Sequence, residues 1–356
     1  MKYPVKNFIK CLISNFILKK PIPLFISLEV TRRCNAKCPF CGYWRLEEPE
    51  LTVKEIKGVL DEAYDLGCSI AVMTGGEPLL RRDLPSILEY AKEIGLSVIL
   101  LSNGYLLKDR VSDFCNYVDA VNVSIDFPDV HHDKNRGLNG LLERAVSGIK
   151  LLRALEIATN INCVVTGKHS LEDVRKILFL AKELDSQFTF SPVFITPHQY
   201  PHGSILGETL EKDKEVMRVA NWNLVKSVAD MLLYYKKHGF RKTIQNSSAY
   251  LKLVRDKGRF TCFPFSFQFA VASDGTVSAV CPASLFGSHN LGNALKQNLK
   301  DIWYSKKAQI LRDKFKECKL SESLGCYLFC VAEPSLPFTN PTTIIDYIRS
   351  GLETLR

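Results

Sequence analysis

Cys34, Cys38 and Cys41 fall within the stretch Cys-Asn-Ala-Lys-Cys-Pro-Phe-Cys, so three thiols spaced by three and then two residues can converge on one metal site. A short loop of this kind suits a cubane iron–sulfur cluster held by three thiolates, which leaves a fourth iron without a protein ligand. That open iron is the chemically useful part. Zinc is the competing chemistry, but zinc sites pair Cys-x2-Cys with a second such pair or with histidines, and no histidine lies near this loop.

Other chemistry-bearing residues follow at intervals. Thr74-Gly75-Gly76-Glu77-Pro78 contains paired glycines, which let a backbone approach a ligand where any Cβ would intrude; it also reads as an ordinary turn. Ser102-Asn103-Gly104 and Ser124-Ile125-Asp126 place polar side chains where apolar runs stop, with Arg136-Gly137 ten residues past Asp126. Turn residues and a solvated arginine look the same. Asn162 lies inside a later apolar run, and His198, Tyr200 and His202 stand in a Pro- and Gly-punctuated stretch with no catalytic role assigned to them.

A second cysteine set lies near the carboxyl end. Cys262 and Cys281 bracket a hairpin pattern, 265–272 and 276–280 joined at Asp274-Gly275, whose closure would bring the two thiols together. Cys318, Cys326 and Cys330 come later, the last two sharing a face if locally helical. A zinc knuckle is the competing reading of this block. Cys11, Cys68, Cys115 and Cys163 stand alone and read as core thiols.

These motifs need elements to position them. Apolar run 24–31 reads as a strand delivering the cysteine loop. Thr52 and Glu55 form a capping-box pattern for a helix to about Leu66. Strands at 70–73, 97–101, 120–125, 158–165 and 188–192 alternate with helices at 83–94, 108–114, 140–155 and 171–184. Repeated strand-then-helix units with short connections call for parallel strands and crossover helices, hence an α/β fold, a partial (β/α)6 TIM-like barrel. Ligands of such sheets bind at the carboxyl ends of the strands, where each motif above falls. A long helix at 212–238, a basic connecting stretch at 250–259, a helix at 301–316 and an ordinary amphipathic helix at 342–355 complete the reading.

At the amino end, Val5, Phe8, Ile9, Leu12, Ile13, Phe16 and Ile17 recur at helical steps beside Lys2, Lys6, Lys10, Lys19 and Lys20. Such a basic amphipathic helix either lies on an anionic bilayer or closes one end of a core. Lys10, Ser14 and Asn15 interrupt any signal-peptide core.

The 356 residues, 46% apolar, suffice for one large and one small domain. Twelve cysteines without a cleavable signal point to a reducing compartment, in which spaced cysteines bind metal more often than they form disulfides. Forty-seven basic against thirty-eight acidic residues give +9, which favours a nucleic acid, an anionic surface or an acidic substrate, although cluster thiolates would absorb part of that excess. No apolar run is long enough for a membrane-spanning helix.

Cys34, Cys38 and Cys41, with Phe40 before the last, resemble the Cys-x3-Cys-x-aromatic-Cys signature of the radical S-adenosylmethionine (SAM) superfamily. The resemblance implies a 4Fe-4S cluster on these thiolates, SAM chelating the fourth iron, and reductive cleavage to a 5′-deoxyadenosyl radical that removes a substrate hydrogen. It implies a Gly-Gly-Glu-Pro motif at Gly75, Gly76 and Glu77 for the methionyl amino group, and SAM contacts at Ser102, Asn103, Ser124, Asp126 and Arg136. The block containing Leu291-Gly292-Asn293 and Asp301-Ile302-Trp303 resembles a small C-terminal cysteine-rich SPASM or twitch extension. By that likeness one auxiliary 4Fe-4S cluster is expected, on four of Cys262, Cys281, Cys318, Cys326 and Cys330; the hairpin pair with Cys326 and Cys330 is the favoured set.

The expected organisation is an amphipathic helix at 1–22, a radical SAM core at 23–210, a helical connector at 211–258, the auxiliary domain at 259–333 and a terminal helix at 334–356. The expected activity is that of a cytoplasmic enzyme, of oxidoreductase or transferase type, modifying a peptide, small molecule or lipid. Its partners would be an electron donor such as flavodoxin or ferredoxin and a peripheral membrane contact through residues 1–20. The non-catalytic alternative is a zinc-binding, basic nucleic-acid-binding protein, expected to bind with steep salt dependence.

Overall fold

The structure, a computed structural model, describes residues 5–16, 18, 20–45, 49–193, 221–279, 290–317, 333 and 335–336. Helix α1 (Val5–Phe16) precedes β1 (Phe25–Thr31). The chain then alternates through α2 (Val53–Leu66), β2 (Ile70–Gly75), α3 (Leu84–Glu93), β3 (Ser97–Ser102), α4 (Leu107–Phe114), β4 (Ala120–Ser124), α5 (His131–Arg136), α6 (Leu141–Ala154), β5 (Ala158–Val165), α7 (Leu171–Glu183) and β6 (Gln187–Pro192). Six strands pair in parallel in chain order, the half-open barrel expected from the alternation.

Local chemistry sets these boundaries. Thr52 caps α2, accepting from the Glu55 backbone N–H while Glu55 returns a bond, and Gly67 closes the helix at φ 113°. Ser170 and Asp173 repeat the device on α7. Apolar strand residues such as Ile26, Leu28, Met73, Val121, Ile161 and Phe190 pack with Ile56, Leu88, Ile149 and Ile177 of the covering helices in one core.

Beyond β6, α8 (Trp222–Lys237) and α9 (Ser248–Arg255) pack on each other, so the stretch read as a basic connector is in part a helix, begun by Ser247 accepting from the Tyr250 N–H. Between them, 243–246 runs along β6: the Phe188 N–H donates to Thr243 O at 2.7 Å, and the Asn246 amide exchanges bonds with both Phe190 backbone groups at 2.7 and 3.0 Å. That side chain supplies what a further strand would, and blunts the open edge.

The carboxyl part adds α10 (Pro264–Phe267), β7 (Gln268–Val271), β8 (Thr276–Ala279), β9 (Asn290–Asn293), α11 (Leu299–Tyr304) and α12 (Lys306–Lys316). Strand β7 pairs in parallel with the outer edge of β1, and β8 and β9 follow antiparallel, giving one nine-stranded sheet. Two expectations are corrected here. Residues 264–267 are helical, so the first hairpin strand starts only at Gln268. The single helix at 301–316 is two helices: Ser305 ends α11 in an extended conformation and caps α12 by accepting from the Ala308 N–H at 3.1 Å.

Trp303 docks the block, and Arg312 braces it from within. Trp303 Nε1 donates to Pro21 O at 2.8 Å, while Arg312 lies against the Trp303 and Phe265 rings and donates to a carbonyl of each. Burial pushes Arg312 down to about 10. The terminal helix expected at 342–355 lies outside the described residues, as does the first part of that expected at 212–238.

Candidate functional site

Strand β1 ends at Thr31 and releases the cysteine loop. Arg81, buried, clamps this point: it donates to the Val30 and Leu51 carbonyls at 2.7 Å each and pairs with Asp83. The loop is then tied to its neighbours. Asn103 Nδ2 donates to Asn35 Oδ1 at 2.7 Å, the Lys37 N–H to Arg136 O at 2.8 Å, and Trp44 Nε1 to Cys38 O at 3.1 Å. The motifs of β1, β3 and the segment after β4 thus meet at one end of the barrel.

The paired glycines lie against the backbone that leads into the cysteine loop. The Gly76 N–H donates to Thr31 O and the Glu77 N–H to Arg33 O, at 2.8 and 2.9 Å. A Cβ on Gly75 would stand 2.0 Å from Thr31 O, and one on Gly76 2.2 Å from Arg33 O. The pair therefore permits close approach to the cysteine loop's own backbone.

Glu77 is fully buried. It accepts from Ser102 Oγ at 2.9 Å, the Asn103 N–H at 2.7 Å and the Leu79 N–H at 3.2 Å, joining the β2 and β3 tips. Burial, only partly offset by these donors, pushes its carboxyl up to about 7. Asp126 is also fully buried and forms a two-pronged ion pair with Arg136, Nε–Oδ2 2.8 Å and Nη2–Oδ1 3.0 Å, with further bonds from Asn135 and the Val164 N–H. Burial pushes the Asp126 carboxyl up, but Arg136 and the hydrogen bonds hold it below the ordinary range.

Arg136 lies 5.7 Å from the Phe40 ring and close enough to the cysteine loop to favour the thiolates. Burial pushes Cys34 up to about 11 and Cys38 to about 12, and raises Cys41, so the unligated thiols stay protonated at neutral pH. Cys34 feels the charge of Cys41, and Cys38 that of both, while among the described residues no group of three His, Cys, Asp or Glu side chains suits a single metal ion. Three thiols on one short loop, with the buried Arg136 guanidinium beside them to offset thiolate charge, fit a three-thiolate iron–sulfur cluster.

Three residues of this network are not among the sequence candidates: Asn135, His132 and His169. His132, fully buried, accepts the Asp126 N–H at Nδ1, and its Nε2 has no hydrogen-bond partner among the described residues. His169 Nε2 lies 2.8 Å from Asp126 O and its ring stacks on Phe127 at 3.9 Å. The four-residue spacing of His132 and Arg136 was the available signal for His132; nothing in the sequence marks His169.

Ser124, half-buried, is in register with Asn162 on β5. Because strand side chains alternate, the inner faces of β4, β5 and β6 carry two registered rows, Asn122–Asn160–Gln187 and Ser124–Asn162–Thr189. All six are uncharged donors and acceptors. Asn160 and Thr189 bond each other at 3.0 Å, and Ser191 reaches Asn162 at 3.3 Å.

Of the second cysteine set, Cys262 is described, buried just before α10; Cys281, Cys318, Cys326 and Cys330 lie outside the described residues, as do His198, Tyr200 and His202.

Comparison with known proteins bears on both ends. A family model for the radical SAM superfamily matches residues 28–181, and a SPASM model, an iron–sulfur cluster-binding domain, matches 262–327. The second span takes in Cys262, Cys281, Cys318 and Cys326 and stops short of Cys330. An AdoMet-dependent heme synthase of Methanosarcina barkeri is 36% identical over 49% of this chain and 51% of its own. A PqqA peptide cyclase of Bradyrhizobium diazoefficiens is 30% identical over 46% and 45%. The chain thus spans about half the length of the curated relatives it matches. Streptococcus suis SuiB bound to its precursor peptide SuiA superposes with TM-score 0.65 at 19% identity, covering 92% of this chain and 74% of SuiB, a likeness of fold.

Proposed function

Because the chain belongs to the radical SAM superfamily and carries a C-terminal SPASM domain, we propose that it cleaves SAM reductively and abstracts hydrogen from an uncharged, hydrogen-bonding substrate. The radical SAM domain implies a 4Fe-4S cluster and SAM, and the SPASM domain implies auxiliary iron–sulfur clusters. When bound, these groups supply one-electron cleavage of SAM and removal of a hydrogen atom from the substrate.

Everything else falls to the chain. Cys34, Cys38 and Cys41 would hold the cluster, and loading it requires the loss of thiol protons that burial retains and Arg136 helps to release. Asp126 and Asn135 keep Arg136 in place for this. Glu77 and Ser102 hold the strand tips together, which leaves the Gly75-Gly76 backbone, Asn103 and half-buried Ser124 as the groups best placed to touch SAM directly. An auxiliary cluster would be held by four of Cys262, Cys281, Cys318, Cys326 and Cys330. A flavodoxin or ferredoxin is the proposed electron donor.

The neutral rows on β4 to β6 support a substrate met through amides or hydroxyls, such as a peptide backbone. The peptide in the SuiB complex and the peptide named for the PqqA cyclase favour the same class.

The observation that carries the reading is the three-thiol loop tied through Asn35, Lys37 and Glu77 to the tips of the next strands. Anaerobically reconstituted protein is expected to be brown, to hold about eight irons as two cubanes, and to release 5′-deoxyadenosine with dithionite and SAM. Changing Cys34, Cys38 and Cys41 to Ala should abolish that product while about half the iron remains. Colourless, zinc-containing protein would instead favour the nucleic-acid-binding alternative.

A further inference from the structure

Helix α1 turns its small polar side to the molecule. Cys11 and Ser14 are buried, each 3% exposed, whereas Ile9 and Ile13, one turn apart, are 43% and 44% exposed and Leu18 just beyond is 66% exposed. Cys11 packs against Leu24 and Phe267. Ser14 Oγ donates to Lys20 O at 2.7 Å, and Asn15 Nδ2 to Ile22 O at 3.1 Å. The polar side is thereby pinned, and these isoleucines are left facing outward, the reverse of a helix that closes a core.

The sequence on either side of them carries charge of one sign, and Lys10 and Lys20 are exposed. Lys2, Lys6, Lys10, Lys19 and Lys20 fall in the first twenty residues, and no acidic residue precedes Glu29. We propose that this face docks on an anionic membrane surface, Ile9, Ile13 and Leu18 entering the headgroup boundary and the lysines meeting lipid phosphates. Charge complementarity selects this occupant. A second copy would bring like charge against like, and residues 337–356, with Asp346 and Glu353 balanced by Arg349 and Arg356, offer no attraction.

The place of α1 decides what the contact does. It sits against Leu24 and Phe267, at the amino ends of β1 and β7, whereas the cysteine loop leaves the carboxyl end of β1. Seven extended residues separate those ends by about 20 Å. A bilayer under α1 therefore lies on the side away from the strand tips, so the contact anchors the protein and does not feed lipid into the site.

The test is flotation of the full chain with phosphatidylcholine vesicles and with vesicles that also contain phosphatidylglycerol. Wild-type protein should float with the anionic vesicles and lose binding as salt rises. The Ile9→Glu/Ile13→Glu double variant should lower the bound fraction about tenfold or more, and Lys10→Glu by roughly fivefold. Both substitutions lie on exposed positions, and unchanged circular dichroism and melting would show the fold intact. Equal flotation of wild type and double variant overturns the proposal. So does flotation that appears only after removal of 337–356, or a change of oligomeric state in the double variant without any lipid effect. None of these readouts involves SAM cleavage, so the proposal and the enzymatic reading fail independently.

Discussion

At the scale of single residues, the site is governed by buried charge. Asp126 and Arg136 neutralise each other out of contact with water, a geometry that costs heavily if one partner is removed. His132 sits against this pair, and burial, with the Arg136 charge, pushes it down from 6.5 to about 4 despite Asp126 and Asp133 nearby. Above pH 6.5 it is neutral folded and unfolded, and stability is at its full value. Between pH 6.5 and 4 the unfolded chain takes up the proton first, so the His132 contribution falls by up to about 3 kcal/mol as pH falls, opposed by Glu77, whose raised carboxyl gives the reverse slope between about 7 and 4.5. His132→Asn, which cannot titrate, should flatten that part of a plot of urea midpoint against pH; an unchanged slope would show that His132 does not contribute it. That the Cys34–Cys41 loop and the polar residues at the β2 and β3 tips lie together was legible in the sequence, because each has a chemical type at the end of a strand. His169 was not, because its role comes from a fold that brings it to Asp126, 43 positions away in the chain.

At the scale of elements, the six strands and most covering helices followed from hydrophobic period and caps, because each is decided by local chemistry. The errors came where tertiary contact overrides local pattern. Apolar residues 265–267 alternate suggestively, yet Phe265 and Phe267 are buried in a short helical turn against the carboxyl block and α1. Ser305 escaped notice because a serine inside a helical period is tolerated, and only the structure shows it capping α12 while ending α11. Ser305→Ala should cost about 1 kcal/mol by loss of the cap, measured by chemical denaturation, with Ser305→Asp retaining most of the stability. The inward turn of α1 was also illegible: a hydrophobic stripe shows that a face exists but not which way it points.

At the scale of the whole molecule, a two-part organisation was expected and the sheet joins the parts. Phe269 of β7 is buried in the same core as Ile26 of β1 and packs 5.6 Å from Trp303. Phe269→Ala should cost about 3–5 kcal/mol and shift a single calorimetric transition that includes the barrel; two separate transitions would show that the parts unfold independently.

The outer edge of β1 has one more consequence, during synthesis. Its partner β7 is translated about 240 residues later, which at cellular elongation rates is a delay of roughly 10–50 s. Throughout that interval the nascent chain presents a naked row of amides and carbonyls beside its oxygen-sensitive thiols, so a ribosome-bound chaperone shielding that row would protect both the yield and the chemistry.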